Sequence, residues 1–276
     1  MRSRWAAAAA LALAVAAVCA VAERPAAGAA PRIAAHRGGA RLWPENSLLA
    51  FRGALGLGVD FVETDVHLTA DGEPVVIHDP TLERTTTGAG AVRAARLADL
   101  APLRLKGADG APTAEPVPTL AQLLDVLAPA RVELLLEIKV GAARERYAGI
   151  EETVLGLLRA RGLHDRTIVM AFEPETLARV RALDPTVRTA LLIGGRRAGR
   201  PTPDQIVESA RRVGATHLGL NHRLVDADVV AAARRAGIPL AAWTVNEEAD
   251  LHRVLALGVD VVISDRPDLA TRLLGR

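Results

Sequence analysis

The chain has 276 residues, of which 50% are hydrophobic and 24% are charged. This composition excludes an intrinsically disordered chain, and the length suits one large domain or two small ones. Lys and Arg number 34 against 32 Asp and Glu, and Arg2 and Arg4 account for the surplus. The balanced remainder, with only 3% aromatic residues, argues against a nucleic-acid-binding protein. Cys19 is the one cysteine, so neither a disulfide framework nor a thiolate site is expected.

Residues 1–22 have the pattern of a secretory signal peptide. A short basic start, Met1–Arg4, precedes an uncharged apolar run, and Ala20-Val21-Ala22 matches a signal-peptidase site. An uncleaved membrane anchor is the alternative, because about 18 apolar residues can just span a bilayer. Residues 23–31 are predicted to be a linker. We therefore expect export to the periplasm or the extracellular space, and no stable membrane insertion of the domain at 32–276.

From Arg32 onward the sequence repeats a short apolar strand, a turn and an amphipathic helix. Eight strands alternating with helices predict an α/β fold of the (β/α)8 (TIM) barrel type. An open doubly wound sheet is the alternative, but no Gly-rich phosphate loop opens the first helix. The predicted strands are Arg32–His36, Phe61–His67, Val132–Lys139, Thr167–Phe172, Val187–Ile193, Thr216–Leu220, Leu240–Val245 and Val259–Ile263.

The first strand ends in His36-Arg37, at the end of the barrel where active sites lie. A histidine suits proton transfer near neutral pH, and the fork of an Arg guanidinium suits a phosphate. Asn46 and Ser47, which precede the first helix, are both candidates for its N-cap.

The second strand carries Glu63 and Asp65, which share one face because side chains alternate along a strand. The segment 58–65 is echoed at 258–265, where Ile263 replaces Glu63, so the architecture itself does not require an acid there. Two acids inside a barrel would need a partner, and a divalent cation such as Ca²⁺ or Mg²⁺ fits. A solvated acidic strand end is the alternative.

A hairpin is predicted after the second strand, because Asp71-Gly72 is a strong tight-turn signal. With these two residues as the loop, Asp65 is expected directly opposite His78. Residues 79–118 then break the strand–helix rhythm. We interpret them as a small insertion over the barrel mouth, with at most a short helix near Leu97–Leu100.

The third strand ends with Glu137 and Lys139 on one face. The chain has only two lysines, Lys106 and Lys139, against 32 arginines, so an ammonium at this place indicates a need for a compact charge. A structural Glu137–Lys139 ion pair is the alternative. Two histidines, three carboxylates, one Arg and one Lys at one barrel mouth together suit the cleavage of a phosphodiester.

These residues resemble the glycerophosphodiester phosphodiesterase family over residues 33–267. The resemblance implies hydrolysis of glycerophosphodiesters to sn-glycerol 3-phosphate and an alcohol, with His36 and His78 as the acid–base pair. It also implies metal ligands at Glu63, Asp65 and Glu137, and substrate contacts from Arg37, Lys139 and Trp243. The motifs that carry it are His36-Arg37-Gly38, Pro44-Glu45-Asn46-Ser47, Glu63-Thr64-Asp65, Thr69-Ala70-Asp71-Gly72, Ile77-His78-Asp79, Arg84-Thr85-Thr86-Thr87-Gly88, Leu136-Glu137-Ile138-Lys139 and Trp243-Thr244-Val245-Asn246.

Two other functions remain as alternatives. A related barrel phosphodiesterase of the phospholipase C or D type would act on intact phospholipids, but the insertion has no Phe, Trp or Tyr to engage a lipid. A non-catalytic binder of phosphate-bearing headgroups would be expected to lack a histidine or an acidic ligand. One divalent cation is expected, with Ca²⁺ favoured over Mg²⁺ by its availability outside the cell. The sequence leaves open the alcohol released, the acid and base roles of the histidines, and the oligomeric state.

Overall fold

The structure is a computed structural model that describes residues 31–195 and 199–276. The predicted signal peptide, residues 1–22, and nearly all of the predicted linker, 23–31, lie outside the described residues. Within those described ranges, every helix is too short or too polar to cross a bilayer.

Eight parallel strands close into a barrel, which confirms the predicted (β/α)8 fold. The first strand, β1, pairs with β2 on one side and with the last strand, β9, on the other, so the parallel strands form a closed barrel. A short ninth strand, β3, runs antiparallel to β2 outside the barrel. The strands are β1 Arg32–Ala35, β2 Phe61–Leu68, β3 Pro74–Val76, β4 Glu133–Ile138, β5 Thr167–Ala171, β6 Arg188–Ile193, β7 His217–Asn221, β8 Leu240–Trp243 and β9 Val261–Ser264.

Helices follow the barrel strands, and their ends carry the expected signals. Thr119 and Asp226 cap helix N-termini with their side chains, while Gly237 and Gly258 end helices in the left-handed conformation. The α-helices among the described residues are α1 Leu48–Gly56, α2 Leu97–Leu100, α3 Leu120–Leu127, α4 Ile150–Ala160, α5 Pro174–Leu183, α6 Pro203–Arg212, α7 Ala227–Ala236, α8 Glu248–Leu257 and α9 Pro267–Leu273.

Glu63 and Asp65 of β2 and Glu137 of β4 lie inside the barrel, at the end above its apolar core. A small apolar cluster, which includes Phe61 and Leu135, fills the interior, while a larger one packs between the strands and the helices. Because side chains alternate, the residues after Phe61 on the same face of β2 are Glu63 and Asp65. Asp65 lies beside Glu137 in the register of β2 and β4. The acids therefore project into the barrel, above its apolar floor.

The predicted hairpin register is wrong by one residue. The turn contains three residues rather than two, because Thr69 N–H donates to Glu73 O and Gly72 adopts a positive φ of 82° between them. As a result Ile77, and not His78, lies opposite Asp65, and Ile77 N–H donates to Asp65 O. Since β3 ends at Val76, His78 is free of the strand alternation and still reaches the barrel mouth.

The insertion 79–118 forms a small lobe beside the mouth. Its apolar residues pack on β3 in a separate cluster that includes Leu82, Val92 and Leu105. It contains the predicted short helix, α2, and isolated bridges pair Thr86 with Leu105 and Lys106 with Pro112. These pairings bring Lys106 to the rim of the barrel mouth.

Candidate active site

Three buried carboxylates form a compact cluster at the barrel mouth. Glu63 and Asp65 from β2 and Glu137 from β4 each offer an oxygen, and these oxygens lie within 4.8 Å of one another. All three side chains are buried, and Asp65 Oδ1 has no hydrogen-bond donor among the described residues. Buried hard oxygen donors of this kind suit Ca²⁺ or Mg²⁺. The cluster thus fits one divalent cation.

Two fixed cations surround the cluster. Lys139 Nζ lies 2.7 Å from Glu137 Oε1 and 3.3 Å from Asp65 Oδ1. Arg37 Nε lies 3.3 Å from Asp65 Oδ2, and its backbone N–H donates to Glu63 Oε2 at 2.9 Å. These acids outweigh the burial that would lower the pKa of both cations, so the pKa values of Arg37 and Lys139 are raised. Both side chains therefore stay positively charged at the mouth.

The two acids of β2 differ sharply in their electrostatics. Burial, reinforced by Asp65 and Glu137, raises the pKa of Glu63 well above its usual range. Burial also opposes ionisation of Asp65, but Lys139 and Arg37 outweigh it and lower the pKa of Asp65. Asp65 is thus held as an anion, whereas Glu63 favours its neutral form unless a further positive charge binds beside it.

His36 is held by an aspartate from the other end of the chain. Its Nδ1 lies 2.5 Å from Asp265 Oδ1. Asn246 Nδ2 donates to Asp265 Oδ2 at 2.6 Å, and Asn246 Oδ1 accepts from the Asp265 N–H at 2.8 Å. Burial would raise the pKa of Asp265, but the hydrogen bond with His36 outweighs it and lowers that pKa. Because an ionised carboxylate only accepts hydrogen bonds, His36 Nδ1 carries the proton and Nε2 is left for chemistry.

His78 has a parallel arrangement. Its Nδ1 lies 2.6 Å from Asp79 Oδ1, so Nδ1 again is the donor. Arg84 binds Asp79 with two N–H donors and also binds Glu45, which in turn accepts from Arg37. Hydrogen bonds from His78 and Arg84 keep the pKa of Asp79 well below its usual range. This chain of ion pairs links His78 to Arg37 across the mouth.

A cavity of about 90 Å³ lies between these groups. Seven of the eight predicted site residues line it, and Asp65 lies directly behind, in contact with Arg37 and Lys139. Its inner wall is apolar, and the Phe172 and Trp243 rings meet edge to face with centroids 5.5 Å apart. The predicted catalytic, metal and substrate-contact residues are therefore brought together in one place.

Several positioning residues do not follow from the sequence patterns. Asp265 occupies the position in segment 258–265 that Asp65 occupies in the similar segment 58–65, but this similarity does not predict its hydrogen bond with His36. His67 was overlooked: it is buried, its Nε2 bonds the His78 carbonyl at 3.0 Å, and its Nδ1 lies 2.7 Å from Tyr147 Oη. A histidine on the Glu63–Asp65 face was the available signal.

One predicted helix cap is also wrong. Ser47 caps α1, since its Oγ accepts from Ala50 N–H, but Asn46 does not. Asn46 is instead buried with a φ of 59°; its Nδ2 donates to Asp65 Oδ2 at 3.0 Å, and its Oδ1 accepts from Thr64 Oγ1 at 3.0 Å. Asn46 therefore orients the acid cluster.

Comparisons with known proteins identify the family of this chain. The family model described as "Glycerophosphoryl diester phosphodiesterase family" matches residues 36–269. A glycerophosphodiester phosphodiesterase from Caldanaerobacter subterraneus is 32% identical over 243 residues, which cover 88% of this chain and 97% of that protein. Another from Bacillus subtilis is 32% identical over 252 residues, covering 85% of this chain and 83% of that protein.

A solved structure shows the same architecture. The Oleispira antarctica phosphodiesterase, crystallised with the product sn-glycerol-3-phosphate, superposes with a TM-score of 0.78 at 27% identity, covering 90% of this chain and 98% of that chain. The match of the family model spans most of the chain and includes every predicted site residue, from His36 to Trp243. The chain therefore belongs to the glycerophosphoryl diester phosphodiesterase family.

Proposed function

We propose that this protein hydrolyses glycerophosphodiesters to sn-glycerol 3-phosphate and an alcohol. The observation that carries the proposal is the pair of histidines, His36 and His78, which face one cavity beside a cluster of three carboxylates and two fixed cations. The Oleispira relative with bound sn-glycerol-3-phosphate and the family membership support the same reaction.

The histidines are suited to move the two protons of the reaction. Displacement at phosphorus needs a base for the attacking hydroxyl and an acid for the departing alkoxide. Asp265 and Asp79 fix Nδ1 of the two rings, so each ring offers Nε2 as the working nitrogen. The two carboxylates also stabilise each ring when it becomes positively charged.

Arg37 and Lys139 are suited to bind the phosphate. Both line the cavity and stay charged, so they favour the negative charge that the phosphoryl oxygens carry in the transition state. Trp243, Phe172 and Met170 exclude water from the inner end and provide an apolar surface for the carbon atoms of glycerol.

Glu63, Asp65 and Glu137 would hold one divalent cation, Ca²⁺ in preference to Mg²⁺. When bound, such a cation supplies positive charge to a phosphoryl oxygen. The three carboxylates suit either ion, and Ca²⁺ is preferred because the proposed export takes the protein to a compartment where Ca²⁺ is available. Calorimetric titration of the chelator-treated protein with each ion tests the choice, and tighter binding of Mg²⁺ than of Ca²⁺ would reverse it.

The products identify the bond that is cleaved. Incubation with glycerophosphoethanolamine in ¹⁸O-labelled water, followed by mass spectrometry, should show one ¹⁸O in the phosphate of sn-glycerol 3-phosphate and none in ethanolamine. Formation of glycerol and phosphoethanolamine would place cleavage on the other side of phosphorus and contradict the proposal. The His36→Ala/His78→Ala double variant is the control for background hydrolysis.

We also propose that the protein is exported. The support is the sequence of residues 1–22 alone, with cleavage after Ala22. Intact-mass measurement of the protein from the producing cell should give a chain that begins at Glu23. Retention of Met1 in a membrane fraction would favour the uncleaved anchor.

A further inference from the structure

The site consists of two cavities that share a rim. The inner cavity of about 90 Å³ opens beside a larger outer groove of about 530 Å³, and His36, Arg37 and Thr244 line both. The outer groove is bounded on one side by the segment after β1 and on the other by the insertion, with Arg84 and Lys106 at its wall. A diester bound at the shared rim can thus place one arm in each.

The glycerol arm suits the inner cavity. At about 90 Å³ against about 530 Å³, the inner cavity is much the smaller of the two and matches a compact three-carbon polyol. Its far wall is apolar, with Met170, Leu192 and Ile263 closing it towards the barrel core. Given the proposed function, on which this inference rests, the alcohol to be released lies in the outer groove.

The acidic side chains that face the outer groove have ion-pair partners, whereas one of its cations has none among the residues that the structure describes. Its acids are engaged, since Glu45 accepts from Arg37 and Arg84, and Asp265 is bound by His36. The ammonium of Lys106 donates to the carbonyl of Glu83 at 2.7 Å, and no carboxylate lies within ion-pair distance of it among the described residues.

Arg41, on the opposite wall of the outer groove, has only a surface partner. Its guanidinium pairs with Glu247 at 2.9 Å, and both side chains are largely exposed, at 49% and 68%. Such a pair contributes little and yields readily to a bound anion. Two cations that face one groove are therefore available to a ligand.

Lysine is rare in this chain, so the choice of lysine at position 106 also indicates a binding role. The chain has 32 arginines and two lysines, and both lysines face the same site. Lys139 lines the inner cavity and Lys106 lines the outer groove. A compact, strongly hydrated ammonium on a flexible stem suits an anion whose position varies with the substrate.

We propose that the outer groove binds a negatively charged group on the leaving alcohol, a carboxylate or a second phosphate, through Lys106 and Arg41. The enzyme then prefers glycerophosphodiesters with an anionic alcohol over those with a neutral or cationic one. Lys106 and Arg41 act on specificity and do not touch the reacting phosphate.

A matched pair of substrates tests the proposal. Glycerophosphoglycerol has a neutral leaving alcohol, and the same diester with a phosphate on its terminal hydroxyl has an anionic one. The ratio of kcat/KM, anionic over neutral, should exceed one for the wild type and fall by about two- to fivefold in Lys106→Gln and in Arg41→Gln, as expected for an exposed charge pair. It should also shrink as salt is raised, because ionic screening weakens exposed charge pairs.

Two controls separate the charge effect from loss of structure. Lys106→Arg keeps the charge and should keep most of the preference, whereas Arg235→Gln removes an exposed charge outside the groove and should leave the ratio unchanged. A wild-type ratio near one, or equal ratios in wild type and Lys106→Gln, would overturn the proposal. Absence of sn-glycerol 3-phosphate from every diester would instead refute the proposed function, and this inference with it.

Discussion

Asp265→Asn tests the positioning of His36 with almost no change in shape. The carboxylate is fixed by Asn246 on one oxygen and meets His36 Nδ1 at 2.5 Å with the other. The substitution removes the negative charge. An amide at this place either presents a neutral oxygen to Nδ1 or turns an N–H donor towards it and forces the other tautomer.

The expected loss of kcat follows from the weakened hydrogen bond between His36 and residue 265. A hydrogen bond to a charged group contributes about 1.5–3 kcal/mol. If that energy is expressed when the ring takes up a proton during turnover, kcat falls by roughly 10- to 150-fold, at about 1.4 kcal/mol for each factor of ten. KM for a diester with a neutral alcohol should change little, because Asp265 lines the outer groove and not the inner cavity, where Arg37 and Lys139 would bind the phosphate.

The assay is a continuous measurement of sn-glycerol 3-phosphate release, with thermal unfolding followed on the same preparations. Asp268→Asn is the matched control, because Asp268 forms its ion pair with the neighbouring Arg266 near the start of α9, and no contact with His36 is found among the described residues. A kcat for folded Asp265→Asn within threefold of both wild type and the control would refute the positioning role.

Three further results are expected. Glu63→Gln and Asp65→Asn should each weaken Ca²⁺ binding by calorimetry, and the double variant should be little worse than the weaker single one because both serve one ion; additive losses would contradict a shared site. His36 borders the outer groove and His78 does not, so we expect His36 to be the acid that protonates the leaving alcohol. An aryl leaving group needs no acid and should therefore restore turnover to His36→Ala but not to His78→Ala. Equal rescue of both variants would contradict the placement of the leaving alcohol in the outer groove. Burial lowers the pKa of His217 to about 3, so this histidine takes up a proton at a higher pH in the unfolded chain than in the folded one. The free energy of unfolding therefore falls as the pH falls from about 6.5 towards 3, by up to about 1.4 kcal/mol per pH unit. Urea unfolding at about pH 7 and pH 5 should show a smaller fall for His217→Gln than for the wild type.

The sequence was sufficient for the fold and for the members of the site. Alternation by two residues placed Glu63 with Asp65 and Glu137 with Lys139, and the barrel topology brought all four to one mouth. These inferences succeed because strand periodicity and parallel order are local properties that tertiary packing preserves.

Features that depend on one extra residue or on barrel closure could not be predicted. The hairpin register shifted by one because Gly72 makes a three-residue turn, a choice that the Asp-Gly signal alone does not decide. Asp265 lies 229 residues from His36 and reaches it only because β9 pairs beside β1 with Ser264 next to Ala35. Such a contact follows from closure of the sheet and leaves no local trace around His36.

We propose above that His36 and His78 carry the proton transfers of glycerophosphodiester hydrolysis beside a cation held by Glu63, Asp65 and Glu137. The most direct measurement is the initial rate of sn-glycerol 3-phosphate release by the wild type and by His36→Ala and His78→Ala, each first shown by calorimetry to bind Ca²⁺. We expect release by the wild type and a loss of about 10²–10⁴-fold in each variant, with Ca²⁺ binding retained. Variants that bind Ca²⁺ and remain within tenfold of the wild-type rate would contradict the account.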